Sequence, residues 1–190
     1  MRGYPATRIG IAAAIIEGGQ APDGSRAANQ KENRVARALR IKWDDGKAVD
    51  ALLEVPKGAG STAVLLAHGA GAGQRHDFMV HVRRGLAAAG VMTMTFDYAY
   101  TAEGRRAPDR MPKLLAVHTA AADRLSQYSD RVVLAGKSMG GRVGSHLAGD
   151  TGWGAAGLFY LGYPLVPLGK GEPRDTSHLE NIEAPQLFFA

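Results

Sequence analysis

The stretch RVVLAGKSMGGRVGS, residues 131–145, decides how this chain folds. Its opening letters, RVVLA, form a short β-branched and apolar run, which is typical of a buried strand. Gly136, Ser138 and Gly140 follow at the spacing G-x-S-x-G, and an apolar helix begins after them. Because the chain must reverse from strand to helix within a few residues, the serine is pushed into a strained, exposed conformation. The residues two positions before and after it must then lack side chains, since a side chain there would collide with the neighbouring backbone. The stretch therefore predicts a nucleophile elbow.

Two glycine-rich alternatives are rejected by spacing. Residues 136–138 spell G-K-S, as in a Walker A loop, but the glycine required five positions earlier is Arg131, inside the strand. A second segment, HGAGAG at 68–73, directly follows the apolar run TAVLLA and suggests a dinucleotide loop. The third glycine of G-x-G-x-x-G would fall on Gln74 or His76, so that interpretation fails as well.

Length and composition limit the protein class. A chain of 190 residues is expected to form one domain with a substantial core. The absence of cysteine excludes disulfides, thiolate metal sites and a cysteine nucleophile, and it fits a reducing compartment. Residues 8–16 imitate a signal-peptide core, but Glu17 ends the run and no cleavage site follows. We expect a cytoplasmic protein with no membrane span, metal or cofactor.

Charge is concentrated near the N-terminus. Residues 1–42 hold eight Lys/Arg and three Asp/Glu, which accounts for the whole net charge of +5. A basic arm of this kind can touch nucleic acid, but a solvated extension is the favoured interpretation, because the rest of the chain is neutral. We therefore predict a poorly ordered basic extension over residues 1–35, a folded domain over residues 36–190 and no nucleic-acid partner.

The order of elements indicates an α/β fold. Apolar patterning predicts strands at 36–43, 49–55, 62–67, 91–96, 131–135, 156–162 and 186–189. It predicts helices at 77–89 and 109–128, capped by Asp77 and Asp109, an elbow helix ending near 148, and a short helix with a Ser177-x-x-Glu180 capping box. This order gives an N-terminal antiparallel hairpin and a mostly parallel sheet with helices on both faces. Sites in such sheets form at the carboxyl ends of the strands, where His68, Asp97, Ser138 and Gly162 lie.

From about residue 48 onward the sequence resembles the α/β-hydrolase superfamily. The branch it resembles is the dienelactone-hydrolase-like one, which contains the testis-expressed and NSL-complex hydrolase-like domains and many bacterial predicted hydrolases. The segments that carry the resemblance are HGAGAG at 68–73, FDY at 96–98, RRAPDRMPKLL at 105–115, GKSMGGR at 136–142 and LGYPLVPLGKGE at 161–172. The resemblance implies an α/β-hydrolase fold, with Ser138 as the nucleophile and an oxyanion hole formed by the amides of Met139 and of Ala70, or of Gly71 in its place.

The resemblance also shows what this sequence lacks. In the superfamily the acid and the histidine of the triad follow the serine in the chain, after a strand that corresponds here to Gln186–Phe189. We therefore expect the last strand and helix of the fold to be missing and the 190 residues to be a fragment or a degenerate member. The final strand would then have an open apolar edge, through which the chain could self-associate.

Internal residues supply only weak substitutes for the missing triad members. His178 and Asp175 lie close together downstream of Ser138, but both fall at the start of a short helix, where polar residues are common. His146, on the elbow helix, is expected to point away from Ser138. His68 is expected to shape its loop, and His118, in the inner stripe of its helix, to be a core residue with its hydrogen bonds satisfied.

Two functions are compatible with these observations. The first is a serine hydrolase of small acyl esters, similar to a carboxylesterase, in which Arg105, Arg106 and Tyr98 lie on a substrate loop and the arginines favour an anionic substrate. The second is a non-catalytic scaffold or inactive fragment with the same fold, which the missing triad members favour.

Overall fold

A seven-stranded mixed sheet forms the centre of the molecule. The fold is given by a computed structural model, which describes residues 36–167, 169 and 171–190. The strands are β1 (Arg37–Asp44), β2 (Lys47–Glu54), β3 (Thr62–Ala67), β4 (Met92–Phe96), β5 (Arg131–Lys137), β6 (Gly157–Leu161) and β7 (Gln186–Phe189). The helices are α1 (Asp77–Ala88), α2 (Ala99–Ala102), α3 (Met111–Ser126) and α4 (Met139–Thr151), followed by a 3₁₀ helix, Ser177–Asn181.

The strand order is β1-β2-β4-β3-β5-β6-β7. β1 and β2 form an antiparallel hairpin, and β2 pairs antiparallel with β4. The remaining neighbours, from β4 through β3, β5 and β6 to β7, are all parallel. The carboxyl ends of five parallel strands therefore meet at one edge of the sheet, which confirms the predicted fold class and places the elbow serine, just after β5, near the middle of that edge.

Burial on both faces explains the apolar character of the central strands. In β3, Val64 and Leu66 pack with Met79 and Leu86 of α1 on one face. The alternate side chains of β3 face the second and larger core, which α3 and α4 cover. A strand that is buried on both sides reads as a continuous apolar run, which is why TAVLLA was assigned correctly.

The helix starts differ from the predicted caps. The N-cap of α1 is His76, whose Nδ1 accepts a hydrogen bond from the Phe78 amide at 3.2 Å, and Asp77 is the first helical residue. The N-cap of α3 is Arg110, because Asp109 is engaged by Arg105 at 2.7 Å. Both predicted caps were therefore displaced by one residue.

The predicted capping box is also wrong. Ser177 lies inside the 3₁₀ helix, whose N-cap is Thr176 with no side-chain cap bond. The carboxylate of Asp175 accepts a hydrogen bond from the Ser177 amide at 2.9 Å instead. A side chain two residues ahead of the amide therefore starts this helix, which is an Asx-type turn rather than a capping box.

The predicted N-terminal extension, residues 1–35, lies outside the described residues. The first described strand, β1, begins at Arg37, and the predicted domain boundary near residue 36 stays a prediction. None of the described helices is both long and apolar enough to cross a membrane.

Candidate active site

Ser138 lies at the turn that joins β5 to α4. It is the N-cap of α4, with φ 47° and ψ −110°, and no other described residue apart from glycine has a positive φ. Its backbone N–H donates to the Leu161 carbonyl at the end of β6, at 3.0 Å, and its carbonyl accepts from the Arg142 amide at 3.1 Å. The neighbouring strand and the new helix thus hold the serine in a conformation that a free chain would avoid.

The glycines around Ser138 are required by space. A Cβ at Gly136 would lie 2.3 Å from the Gly141 nitrogen, and one at Gly140 would lie 2.5 Å from the Ala67 carbonyl oxygen at the end of β3. Real Cβ atoms do not approach backbone this closely, so any side chain would force the elbow apart. The geometry expected from G-x-S-x-G is therefore present.

The glycine-rich loop after β3 runs directly beside the serine. A Cβ built on Gly69 would lie 3.8 Å from the Cβ of Ser138. The Ala70 amide makes no hydrogen bond among the described residues, and Met139, as the first residue of α4, has an amide without an intrahelical acceptor. Gly71 has a positive φ of 72°. The Ala70 amide is thus free of a competing hydrogen bond from a described residue, and its role as an oxyanion donor remains a prediction.

A buried polar network fixes that loop. Gln74 is fully buried, and its amide nitrogen Nε2 donates to the Asp50 carbonyl at 2.9 Å and to Asp97 Oδ2 at 2.8 Å. The Gln74 backbone N–H donates to Asp97 Oδ1 at 2.8 Å, and Thr95 Oγ1 donates to Gln74 Oε1 at 3.2 Å. The end of the loop is thereby tied to both β2 and β4. No motif in the sequence identifies Gln74 as a residue that holds the loop.

His68 and Tyr98 are buried residues that hold the start of the glycine-rich loop. His68 is fully buried, with Nδ1 2.8 Å from the Gly69 carbonyl oxygen and Nε2 accepting from the Tyr98 amide at 3.2 Å. Burial lowers its pKa, against the opposing effects of the Gly69 carbonyl and Asp97. With both ring nitrogens occupied and the ring neutral, His68 shapes its loop as expected and cannot accept a proton from Ser138.

Tyr98 is not a substrate-loop residue. It is fully buried, and its hydroxyl lies 2.9 Å from Nδ1 of His118, so the prediction for Tyr98 is wrong. His118 is fully buried as predicted, but its Nε2 has no partner, so only half of the ring is satisfied. Burial and, to a smaller extent, the nearby His68 lower the pKa of His118 to about 3.

The predicted substrate arginines border a groove next to the glycine-rich loop. This groove has a volume of ≈ 460 Å³ and is lined in part by Gly71, Gly73, Arg105 and Arg106. Arg105 is paired with Glu103 at 2.6 Å and with Asp109 at 2.7 Å, so its charge is already compensated. Arg106 is exposed and forms no ion pair with a described residue, which leaves it as the better candidate of the two.

The structure does not bring His178 to Ser138. His178 Nε2 lies 2.9 Å from Ser145 Oγ and 3.2 Å from the Tyr163 hydroxyl, two turns along α4 from the elbow. Asp175 is held by the Ser177 amide. The weak internal triad of Ser138, His178 and Asp175 is therefore not assembled. Burial lowers the pKa of His178, as does neighbouring His146, whose ring stacks on that of His178 at 3.7 Å between centroids.

Three features define the class of protein. The sheet is mostly parallel, a strained serine directly follows the central strand β5, and the glycine-rich loop after β3 lies beside that serine. The family model described as an alpha/beta hydrolase domain matches residues 60–190. The chain therefore belongs to the α/β-hydrolase domain family.

Solved structures share the fold at low identity. Dienelactone hydrolase from Anabaena variabilis has a TM-score of 0.65 at 21% identity, covering 82% of this chain and 73% of its own. A serine hydrolase without a lid from Xanthomonas campestris has a TM-score of 0.62 at 16% identity, covering 84% of this chain and 72% of its own. Est1E from Butyrivibrio proteoclasticus has a TM-score of 0.54 at 22% identity and covers 64% of this chain, which spans 49% of Est1E. No curated protein matched the sequence.

Proposed function

We propose that this protein is a serine hydrolase of small acyl esters, similar to a carboxylesterase, with Ser138 as its nucleophile. The observation that carries the proposal is the backbone of Ser138, held at φ 47° beside the glycine-rich loop. Strain of this kind in a residue other than glycine persists only where the surrounding structure imposes it, and it concentrates at functional sites. Membership of the α/β-hydrolase family and the esterases among the fold's neighbours support the same conclusion.

The proposed reaction follows from the positions of the groups. Ser138 Oγ attacks the ester carbonyl carbon, its proton passes to a general base, and the carbonyl oxygen becomes an oxyanion. The amides of Met139 and Ala70 receive this charge, and the alcohol leaves with the proton returned by the base. Water then attacks the acyl-serine by the same route and releases the acid.

No histidine among the described residues is hydrogen-bonded to Ser138 as a general base would be. The sequence holds six histidines, all of which are described: His68 and His118 are buried, His76 caps α1, His81 lies on the exposed side of α1, and His146 and His178 are stacked on each other. None of them forms a hydrogen bond with Ser138. This observation favours a second candidate function, a non-catalytic scaffold with the same fold.

The test compares serine variants in an ester assay. Ser138→Ala is expected to abolish hydrolysis of short-chain p-nitrophenyl esters without changing the melting temperature, because only the attacking oxygen is removed. Ser126→Ala, at an exposed serine on α3, serves as the matched control and is expected to keep wild-type activity. Turnover retained in Ser138→Ala would exclude the assignment.

The scaffold is tested separately. Without a base, a serine hydroxyl stays protonated, and triad enzymes stripped of a member keep only a residual rate of roughly 10³–10⁴-fold over water. We therefore expect the 190-residue protein to show little turnover, and a protein translated through any coding sequence downstream of Ala190 to show Ser138-dependent turnover. If that sequence supplies no aspartate and histidine, or the longer protein is inactive, the scaffold is favoured.

A further inference from the structure

Two arginines beside the elbow lack a counter-ion. Arg142 lies on α4 one turn after Ser138, and Arg174 lies in the segment after β6, where its amide donates to the Leu165 carbonyl at 2.8 Å. The Nε atoms of both side chains are buried and have no hydrogen-bond partner. Within residues 36–167, 169 and 171–190, neither guanidinium forms an ion pair. By contrast, the buried Arg83 is paired with Glu54 at 2.9 Å.

The segment that carries Arg174 packs against the helix that carries Arg142: the Tyr163 hydroxyl lies 2.9 Å from Ser145 Oγ of α4. After burial, the charge of Arg174 is the largest cause that lowers the pKa of Arg142. Tyr163, Asp150 and Asp175 act in the opposite direction. The two carboxylates are occupied elsewhere, since Asp150 is 2.7 Å from Nδ1 of His146 and Asp175 accepts from the Ser177 amide.

Such an arrangement is unfavourable without a ligand. Partly burying one guanidinium removes water from its charge, and placing a second positive charge next to it adds repulsion. A carboxylate or phosphate reverses both effects, because the planar fork of an arginine matches the oxygens of these groups and forms paired charge-assisted hydrogen bonds with them.

The backbone connects Arg142 directly to the elbow, since the Arg142 amide donates to the Ser138 carbonyl at 3.1 Å. The glycine-rich loop approaches the serine from β3, as the Gly69 to Ser138 distance shows. Arg174 belongs to the segment after β6, and β6 is joined to the elbow by the bond from the Ser138 amide to the Leu161 carbonyl.

We infer that Arg142 and Arg174 together form a binding site for an oxyanion group, a carboxylate or a phosphate, next to the elbow. A role for this site in binding substrate rests on the proposed function. Anion binding itself needs neither Ser138 nor a general base. Binding is therefore measured in the Ser138→Ala protein as well, and saturable binding there separates this inference from the outcome of the ester assay.

In the experiment, inorganic phosphate and, separately, acetate are titrated into the protein at constant ionic strength. Binding is measured by calorimetry and by the melting temperature, which rises when an anion binds to the folded state. Arg142→Gln and Arg174→Gln are each expected to weaken binding of the preferred anion about tenfold or more. Arg131→Gln, which removes the same charge at the opposite end of β5, is the matched control and is expected to bind like wild type. The anion that binds more tightly identifies the group for which the site is built.

A second measurement separates an anion site from a structural role. In buffer without the anion, Arg142→Gln and Arg174→Gln are expected to melt at the wild-type temperature or above it, because each removes one of two repelling charges. Arg142→Lys keeps the positive charge but loses the planar guanidinium fork. We expect its affinity for the anion to lie between the affinities of wild type and Arg142→Gln. Absence of saturable binding of both anions to wild type, or equal binding by Arg142→Gln, Arg174→Gln and Arg131→Gln, would overturn the inference.

Discussion

Gly140 shows how little freedom the elbow leaves to a single residue. In Gly140→Ala the new Cβ would meet the Ala67 carbonyl at 2.5 Å, and we expect a loss of stability on the order of 1–3 kcal/mol or more from overpacking. Gly85→Ala on α1, where a Cβ has open space, is the matched control and is expected to gain roughly 1 kcal/mol from helix propensity. Urea unfolding of the two variants checks both values, and an unchanged Gly140→Ala would contradict the elbow geometry.

His118 gives the stability a dependence on pH. Its pKa is lowered from 6.5 to about 3 in the folded protein, so the unfolded chain takes up the proton first as the pH falls. The stabilisation is thus complete above about pH 6.5 and is lost between that value and about pH 3, with a slope of roughly 1.4 kcal/mol per pH unit for this group.

His118→Gln is expected to flatten this profile, since glutamine does not titrate in the range and can still accept a bond from Tyr98. The measurement is the free energy of unfolding at several pH values between 4 and 8. The exposed His81→Gln is the control and should follow wild type. Parallel profiles for wild type and His118→Gln would show that His118 is not the group responsible.

Local requirements were predictable from the sequence, and long-range ones were not. Gly136, Ser138 and Gly140 act through backbone conformation within five residues, which a motif records. The positions of Arg142 and Arg174 relative to each other depend on how α4 packs against the segment after β6. No spacing in the sequence encodes that contact.

Among the larger elements, the glycine-rich loop depends most on one side chain. Gln74→Leu would remove the side-chain hydrogen bonds to the Asp50 carbonyl, to Asp97 Oδ2 and from Thr95 Oγ1. Asp97 Oδ2 would lose its hydrogen bond from Gln74, and a buried unsatisfied group costs about 1–3 kcal/mol. We expect destabilisation together with a lower kcat and little change in KM in an active form of the protein, because the loop amide acts on the oxyanion rather than on bound substrate.

The control for Gln74 is Gln127→Leu, at an exposed glutamine that follows α3. We expect a change within about 0.5 kcal/mol for this surface substitution. If steady-state kinetics show a raised KM and an unchanged kcat in Gln74→Leu, the loop positions substrate and not the oxyanion.

Strands and helices were located well from the sequence, but their ends were not. Apolar runs record burial directly, so β3 and β5 were recognised. Whether a side chain caps a helix depends on its other contacts. The sequence makes Asp109 a good cap for α3, but its carboxylate forms ion pairs with Arg105 and Lys113 instead. The partners of a charged residue are set by tertiary contacts, which a pattern of letters does not contain.

For the molecule as a whole, β7 lies at one edge of the sheet with apolar side chains exposed. Leu187 is 45% exposed and Phe188 is 49% exposed, on opposite faces of the strand. An apolar edge strand of this kind pairs readily with another chain. We predict concentration-dependent self-association of the 190-residue protein, measured by light scattering during gel filtration.

Leu187→Lys is expected to shift that equilibrium toward the monomer, since a charged side chain on an edge strand opposes strand pairing. Leu165→Lys is the matched control, because Leu165 is 55% exposed but lies outside the strands. A wild-type protein that remains monomeric at all concentrations would contradict the prediction.

The strand order has a kinetic consequence. β3 pairs with β5, so the pairing of Thr62 with Arg131 must form across two helical connections. The elbow needs this pairing, because it directly follows β5. Contacts between residues so far apart in the chain close slowly, because the entropy of a long loop is lost before the contact is gained. We therefore expect the turn at Ser138 to form late in folding, after the local β1–β2 hairpin.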